Sequence, residues 1–289
     1  MKDLRVFMLI CLMLICAAAC GVALCCLGGG FGDFGWLWQL PVGFLGGFLV
    51  AAGLAFAFLL IACAVVDPDK PRDKDSPFYR GIARWYIQLI LTVARIRVHT
   101  QGLEKTPKEG RFLLVCNHLH EADPAILLHY FKNSQLAFVS KQENHDMFIV
   151  GKLMPMLLCP LINRENDRQA LQTILRCIQL LKEDKVSIGI FPEGYIHKKR
   201  KLQHFRPGVF KIAQKAGVPI VVCTIRNTHY VVKNFLKGKP SDVDLHLLEV
   251  IPAQELQGKT TTQIAQRVYD LMAADLGPEN ILSPEEENT

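Results

Sequence analysis

Length and composition are those of a membrane-attached protein with one folded domain. The chain has 289 residues, 50% of them hydrophobic, and two uncharged apolar runs near its N-terminus leave about 210 residues, enough for a single α/β core. The formal net charge of +6 at pH 7 would suit nucleic acid, but beside membrane-length runs it indicates attraction to anionic lipid and phosphorylated ligands, so we expect no nucleic-acid partner.

The two apolar runs occupy residues 6–27 and 41–66. Each is long enough to cross a hydrocarbon layer of about 30 Å as a helix, so residues 1–66 are predicted to form a transmembrane hairpin, with 28–40 as a short loop at the membrane surface. Basic residues flank the pair on both sides, which predicts a multi-pass protein of the cell membrane whose domain faces the cytoplasm. A lipoprotein signal ending at Cys20 is the alternative, and the second full span disfavours it.

Ten cysteines are spread along the chain without the spacing of metal ligands. Six lie in the apolar runs and four on predicted strands and a helix, which favours buried free thiols in a reducing compartment and no metal site. Cys116 lies two residues before a histidine, where an acylated cysteine is conceivable. Its position at the end of an apolar strand favours core packing instead.

A charged, proline-bearing linker at 67–77 separates the apolar runs from the rest of the chain. Residues 78–98 place apolar side chains on one side and arginines on the other, which predicts an amphipathic helix in the membrane interface; a helix packed on the domain core would show the same pattern. Strand-length apolar runs then alternate with helical patterns. We predict strands at 112–116, 136–140, 157–162, 186–191, 220–225 and 243–250, and helices at 124–131, 167–182, 209–216 and 262–274.

This alternation predicts an α/β domain over 99–277, with a largely parallel sheet flanked by helices. The glutamate-rich end at 278–289 is predicted to be a disordered acidic tail.

The segment from Asn117 to Asp123 carries the strongest chemical signal. His118 and Asp123 follow an apolar strand, and Pro124 begins a predicted helix for which Asp123 is a candidate N-cap. On one continuous helix the two side chains would point about 140° apart, so a turn must bring them together. An imidazole held by a carboxylate can take a proton from a hydroxyl near neutral pH. The alternative is a helix cap beside an ordinary loop histidine.

Two further blocks lie at predicted strands: Phe191-Pro192-Glu193-Gly194 at the end of one and Val218-Pro219-Ile220 at the start of another. With Asn-His-x-x-x-x-Asp at 117–123, their order resembles the lysophospholipid and glycerol-phosphate acyltransferase superfamily, above all its bacterial 1-acylglycerol-3-phosphate acyltransferases. The resemblance spans residues 80–250. It implies a glycerol-3-phosphate-acyltransferase-like fold and transfer of a fatty acyl group from acyl-CoA or acyl-carrier protein, without a bound cofactor, to lysophosphatidic acid.

The resemblance also implies roles for individual residues. His118 would be the general base and Asp123 would hold its tautomer, with His120 as a weaker candidate base. The absence of a Gly-x-Ser-x-Gly elbow from the sequence argues against a serine hydrolase. Arg164, in a block where Leu158 replaces the family's glycine, would bind the acceptor phosphate, with Arg168 as a possible helper. The residues implied in substrate binding are Asn117, Lys141, Arg164, Glu193 and Gly194.

The chain departs from the family pattern after Gly194, where Tyr195-Ile196 replaces the usual Thr-Arg. One cation is therefore missing. The run 198–201, Lys-Lys-Arg-Lys, either supplies that charge from a shifted position or forms a solvated loop. Three interpretations stay open: synthesis of phosphatidic acid, acylation of another lysophospholipid or of glycerol 3-phosphate, and a non-catalytic lipid-binding membrane protein on the same fold.

Overall fold

The computed structural model describes residues 4–28, 34–163 and 166–283. The chain divides into two compact units, Met1–Asp69 and Lys70–Thr289. The boundary between them falls inside the predicted linker at 67–77.

The first unit contains two helices, α1 (Leu4–Leu27) and α2 (Trp36–Ala64). Among the described residues, α2 is the one helix that is both long and apolar enough to cross a membrane, and the apolar stretch Met13–Leu27 is shorter. The predicted surface loop at 28–40 was too long, because α2 already begins at Trp36. Residues 29–33 of that loop lie outside the described residues.

Small residues bring α1 and α2 together. A Cβ atom on Gly43 would lie 2.7 Å from the Cα atom of Gly21, and one on Gly47 would lie 3.0 Å from the Cα atom of Ala17. Contacts later in α2 therefore fall earlier in α1, so the helices run antiparallel. Gly43 and Gly47 have the Gly-x-x-x-Gly spacing that lets apolar helices approach closely. The first unit therefore contains a pair of closely packed helices, and the transmembrane hairpin stays a prediction.

The second unit is built on strands that form two sheets. Its described strands are β1 (Ile96–Gln101), β2 (Leu113–Cys116), β3 (Leu136–Phe138), β4 (Ser140–Lys141), β5 (Leu161–Ile162), β6 (Ser187–Ile190), β7 (Ile220–Arg226) and β8 (Ser241–Ile251). The larger sheet has the order β1-β8-β7-β2-β6-β3, and the smaller one pairs β4 with β5. All neighbours are parallel except β7 and β8, which confirms the predicted largely parallel sheet.

Helices cover both faces of the larger sheet. They are α3 (Pro77–Val93), α4 (Asp123–Tyr130), α5 (Phe148–Met156), α6 (Asp167–Lys182), α7 (Lys211–Ala216), α8 (Val231–Leu236) and α9 (Thr261–Leu276). Leu113 and Val115 of β2 belong to a core cluster with α6, α7 and α9, whereas Leu114 and Cys116 belong to one with α3, α4 and α8. This alternation within one strand produces a three-layer α/β/α domain.

The helix predicted at 78–98 is shorter than expected and is followed by a strand that the sequence analysis missed. It ends at Val93, and Arg95, with a φ of +50°, turns the chain into β1. Arg80, expected on the solvent side, is buried: it binds Asp75 at 2.7 Å and donates to the carbonyl of Leu136 at 2.9 Å. The helix therefore packs on the domain core, which was the alternative interpretation. Its location in a membrane interface stays a prediction.

Two other predictions were wrong at their boundaries. The strand at 157–162 shrinks to β5, because Leu158 adopts a φ of +58°, in the left-handed region that favours glycine. A glycine, as in the family pattern, would adopt this backbone conformation without strain. Residues 278–283 are not a disordered tail: Leu282 is buried and its N–H donates to the carbonyl of Leu202 at 2.9 Å. Residues 284–289 lie outside the described residues.

Candidate active site

Three parallel strands end at the same edge of the larger sheet. β7, β2 and β6 are neighbours in that order, and they lead into Asn227, Asn117 and Phe191 respectively. In open α/β sheets, ligands bind in the crevice outside the carboxyl ends of such strands. The motifs around His118 and Glu193 are therefore brought to one place by the topology.

His118 and Asp123 are in contact, as their spacing predicted. The Nδ1 atom of His118 lies 2.9 Å from Oδ2 of the fully buried Asp123. The same Oδ2 accepts the backbone N–H groups of Leu119 at 2.7 Å and His120 at 2.8 Å. The prediction of Asp123 as N-cap was wrong, because Ala122 holds that position and Asp123 is the first residue of α4. Its carboxylate organises the preceding loop and the imidazole together.

Aromatic stacking fixes the plane of the imidazole. The ring of His118 lies 3.9 Å from that of Phe191, at 12° to it, and Phe191 in turn stacks on Phe138 at 5.3 Å. The side chain of His118 keeps 17% of its surface exposed. With Nδ1–H donating to Asp123, the lone pair on Nε2 is left for a substrate proton.

Glu193 holds the backbone of His118. The residue is only 2% exposed. Its Oε1 accepts a hydrogen bond from the His118 N–H at 2.9 Å, and its Oε2 accepts one from Nε2 of Gln203 at 3.0 Å. The resemblance implied contacts from Glu193 to the acceptor, but both of its oxygens are used within the protein. Glu193 is therefore a positioning residue in this structure. Gln203, its buried partner, was not identified from the sequence.

Burial raises the pKa of Glu193 to about 8, although the bonds from His118 and Gln203 lower it. Between about pH 5 and pH 8 the folded protein then keeps a proton that the unfolded chain has lost, so this residue makes stability fall as pH rises. We predict that Glu193→Gln, which is always neutral, removes this fall. Thermal unfolding in detergent at about pH 6 and pH 9 should show wild type losing stability relative to the variant at the higher pH.

The exposed Glu104 offers a matched control, since Glu104→Gln should leave the pH dependence of wild type unchanged. A difference in unfolding temperature between wild type and Glu193→Gln that stayed constant across the pH range would contradict the prediction.

Gly194 forms the turn after Glu193. Its φ is +87°, and a Cβ atom there would lie 2.9 Å from Nε of Arg206. Its N–H donates to the carbonyl of Phe191 at 3.1 Å. The positive φ favours glycine, so the tight backbone expected at this position is present.

The side chain of Asn117 links β2 to β7, and its polar atoms are used in hydrogen bonds within the protein. Its side chain donates to the carbonyl of Ile225 at 2.9 Å and accepts the N–H of Ile225 at 2.8 Å. Because the side chain is buried, the substrate contact that the resemblance implied is replaced by a positioning role. Cys116 is also buried, and burial raises the pKa of its thiol well above the usual value, which favours core packing over nucleophilic chemistry.

The remaining predicted residues are not brought to this cluster by the described structure. Lys141 is exposed and ends β4, in the smaller sheet. Arg164 lies outside the described residues, so its predicted contact with a phosphate stays a prediction. Arg168 is exposed in the first turn of α6.

Arg200, from the basic run 198–201, lies beside the loop, and His229 is a further basic residue that the sequence analysis did not identify. Nη1 of Arg200 donates to the carbonyl of Leu119 at 2.7 Å, between His118 and Asp123. His229 follows β7, and its Nδ1 atom is buried without a hydrogen-bond partner among the described residues. Burial, then the nearby Arg200, lowers the pKa of His229. His229 lies just after β7, the third of the parallel strands that end at this edge. Its position after a predicted strand is the signal that would have indicated it.

An apolar cavity of about 480 Å³ opens beside the same loop. His120 and Ala122 border it on the loop side. The other walls come from α3, β1, α4 and α8, including Ile90, Ile126, Val231 and Phe235. An apolar ligand chain in this cavity would end next to the His118–Asp123 pair.

A His–Asp pair at the carboxyl edge of a parallel sheet, next to an apolar cavity, is the site of an α/β enzyme that acts on hydroxyl groups of lipid-like molecules. Residues 97–226 match the model of the Acyltransferase family. This match covers less than half of the chain, and over these residues the chain is similar to acyltransferases.

The relatives are 1-acyl-sn-glycerol-3-phosphate acyltransferases. The enzyme of Borreliella burgdorferi is 27% identical over 182 residues, which cover 62% of this chain and 72% of that protein. A probable enzyme of Mycoplasma genitalium is 33% identical over 159 residues, and this chain spans only 56% of its length. The crystal structure of PlsC from Thermotoga maritima shares the fold, with a TM-score of 0.56, 20% identity, and coverage of 77% of this chain and 87% of that one.

Proposed function

We propose that this chain is an acyltransferase that moves a fatty acyl group from a thioester to the free hydroxyl of 1-acylglycerol 3-phosphate, giving phosphatidic acid. The observation that carries the proposal is the His118–Asp123 contact of 2.9 Å at the strand ends, in a chain whose residues 97–226 match the Acyltransferase family. The names of the relatives from Borreliella and Mycoplasma support this acceptor.

His118 acts as general base in the proposed reaction. Its Nε2 takes the proton of the acceptor hydroxyl as the oxygen attacks the thioester carbonyl carbon. The new C–O bond forms, the C–S bond breaks, and the leaving thiolate takes the proton from the imidazolium. Asp123 stabilises that imidazolium and holds Nδ1–H in place, as in hydrolase triads, but without a serine. Acyl-CoA or acyl-carrier protein supplies the thioester.

The first three backbone N–H groups of the loop are not available as oxyanion donors. Those of His118, Leu119 and His120 already donate to buried carboxyl groups of Glu193 and Asp123, at 2.7–2.9 Å. The developing charge on the thioester carbonyl must therefore be met by other donors at the site. The loop's function is to fix the base.

The apolar cavity beside the loop is proposed to receive acyl chain. It has no charged wall among the residues that border it, and it reaches Ala122, one residue from Asp123. Transfer of a saturated chain from water contributes about 0.8 kcal/mol per methylene, so a cavity with this lining suits an acyl chain.

We infer that the predicted hairpin anchors the chain in a membrane, with both ends in the cytoplasm. The apolar composition of α2, the antiparallel Gly-x-x-x-Gly packing on α1 and the basic flanks support this. A cytoplasmic domain also has access to the proposed thioester donors. The bilayer is then the source of the acceptor lipid.

This topology predicts the labelling pattern of a reporter cysteine. A cysteine introduced at Gly32 should react with a membrane-impermeant maleimide added to intact cells, whereas one placed at Thr289 should react only after lysis. The unaltered chain gives the background from its own cysteines. Labelling of the Thr289 reporter from outside would disprove the topology and remove access to a cytoplasmic donor.

The proposed function is tested by acyl transfer with purified protein. Mass-detected products from one thioester and several acceptors should show turnover with 1-acylglycerol 3-phosphate exceeding that with glycerol 3-phosphate and with other lysophospholipids. Preference for another acceptor would replace the proposed substrate, and the change to Tyr195-Ile196 gives a reason to include several headgroups. Absence of turnover with every thioester would favour a non-catalytic lipid-binding protein.

A further inference from the structure

The turn after Gly194 leaves the site without the cation that the family pattern places there. Tyr195 and Ile196 occupy those positions, and neither can pair with a phosphate charge. A phosphate monoester carries a charge of about −1.5 to −2 at neutral pH and needs cationic donors within hydrogen-bond distance. Other residues of this chain must therefore provide these donors.

Arg200 brings a cation to the loop from the basic run. Its Nη1 donates to the carbonyl of Leu119 at 2.7 Å, and its side chain is partly buried, whereas Lys198 and Lys199 are exposed. The bond to Leu119 uses one of the five N–H donors of a guanidinium, whose planar fork suits phosphate oxygens. The backbone around Arg200 is shaped for this placement, with a φ of +56° and an N–H that donates to the carbonyl of His197.

His229 approaches the same loop from the end of β7. Its ring is partly buried, and its buried Nδ1 has no partner in the part of the chain that the structure describes. Asn117, next to His118, binds the backbone of Ile225 at 2.8–2.9 Å, four residues before His229, so the two segments meet at the same strand ends. Burial, and then Arg200, lowers the pKa of His229. A polar ring atom that is buried without a partner beside a cationic guanidinium is suited to an anionic ligand.

We propose that Arg200 and His229 form the subsite for the phosphate monoester of the acceptor, beside the His118–Asp123 pair. The inference rests on the proposed function and deepens it. Arg200 supplies the permanent charge that Tyr195-Ile196 lacks, and His229 supplies a ring nitrogen that has no hydrogen-bond partner among the described residues. The phosphate is then held close to the loop while the acyl chain occupies the apolar cavity.

The first test separates acceptor from donor. Arg200→Ala should raise the KM for 1-acylglycerol 3-phosphate by about tenfold to a hundredfold and leave the KM for the thioester nearly unchanged. Arg200→Lys, which keeps the charge but not the fork, should restore part of the loss. Lys198→Ala with Lys199→Ala removes twice the charge from the same run and should leave both constants at their wild-type values.

Four kinetic results would overturn the proposal. An increase confined to the KM for acyl-CoA would assign Arg200 to the phosphates of the donor. A fall in kcat with both KM values unchanged would assign it to the thioester oxyanion. A larger acceptor effect in Arg206→Ala than in Arg200→Ala would assign the phosphate to the arginine beside Gly194. If the double lysine variant raised the acceptor KM as much as Arg200→Ala does, the basic run would act only by general attraction of the anionic acceptor.

A binding test keeps the subsite separate from the choice of acceptor. Hexadecyl phosphate has a phosphate monoester and an apolar chain but no hydroxyl, so it can bind but cannot react. Its dissociation constant should rise by about tenfold or more in Arg200→Ala and in His229→Gln, while hexadecanol binding stays unchanged. If wild type prefers another acceptor, the proposed function fails, yet this result still supports the subsite. Unchanged hexadecyl phosphate binding in folded variants would overturn the subsite whatever the acceptor.

Discussion

Replacing His118 by alanine is expected to abolish nearly all acyl transfer. The Nδ1 atom of His118 binds Asp123 at 2.9 Å and its ring is stacked on Phe191, which leaves Nε2 to accept the proton of the acceptor hydroxyl. Loss of a general base that is held in this way should reduce turnover by about a thousandfold or more. The measurement is the rate of thioester consumption with saturating acceptor.

His99 provides a matched control for this variant. It is an exposed histidine on β1, where it pairs with Asp242 at 3.0 Å, so His99→Ala should keep wild-type turnover. The fold of His118→Ala is checked by thermal unfolding, because the ring also contributes stacking with Phe191. Folded His118→Ala protein that kept about a tenth of the wild-type rate would exclude the role of general base.

Local sequence was sufficient to predict the parts of the site that depend on neighbouring residues. The contact between His118 and Asp123 spans five positions, and a strand followed by a helix requires the turn that closes it. The parallel strands were predictable because apolar runs of strand length alternate with helical patterns. The helix at Asp167–Lys182 was predicted with the observed bounds, since its apolar positions recur regularly.

Long-range contacts were beyond such reasoning. Glu193 meets the backbone of His118 across 75 positions, and Arg200 meets Leu119 across 81, so neither partner has a sequence pattern that names the other. Glu193 was expected to touch substrate because its motif is associated with the site, but burial and two protein hydrogen bonds give it a different use. The loop predicted at 28–40 was too long for a simpler reason: α2 begins at Trp36, before the second apolar run that was used to place the helix.

Asp123→Asn is expected to keep the conformation of the loop and to lose most of the acyl-transfer activity. Asp123 Oδ2 accepts three hydrogen bonds, from His118, Leu119 and His120, whereas Oδ1 is buried without a partner among the described residues. An asparagine therefore fits best with its carbonyl oxygen in the place of Oδ2 and its amide in the place of Oδ1. The three hydrogen bonds survive, and the negative charge that stabilises the imidazolium is lost.

Turnover of Asp123→Asn should accordingly fall by about a hundredfold to ten-thousandfold, mostly in kcat, with little change in thermal unfolding. Asp123→Ala is the comparison variant, because it removes the bonds to Leu119 and His120 as well and should lower both activity and stability. The difference between the two variants separates the electrostatic contribution of Asp123 from its support of the loop. Equal stability losses in both would show that asparagine does not preserve the loop, and near-normal turnover in Asp123→Asn would show that the imidazolium needs no carboxylate.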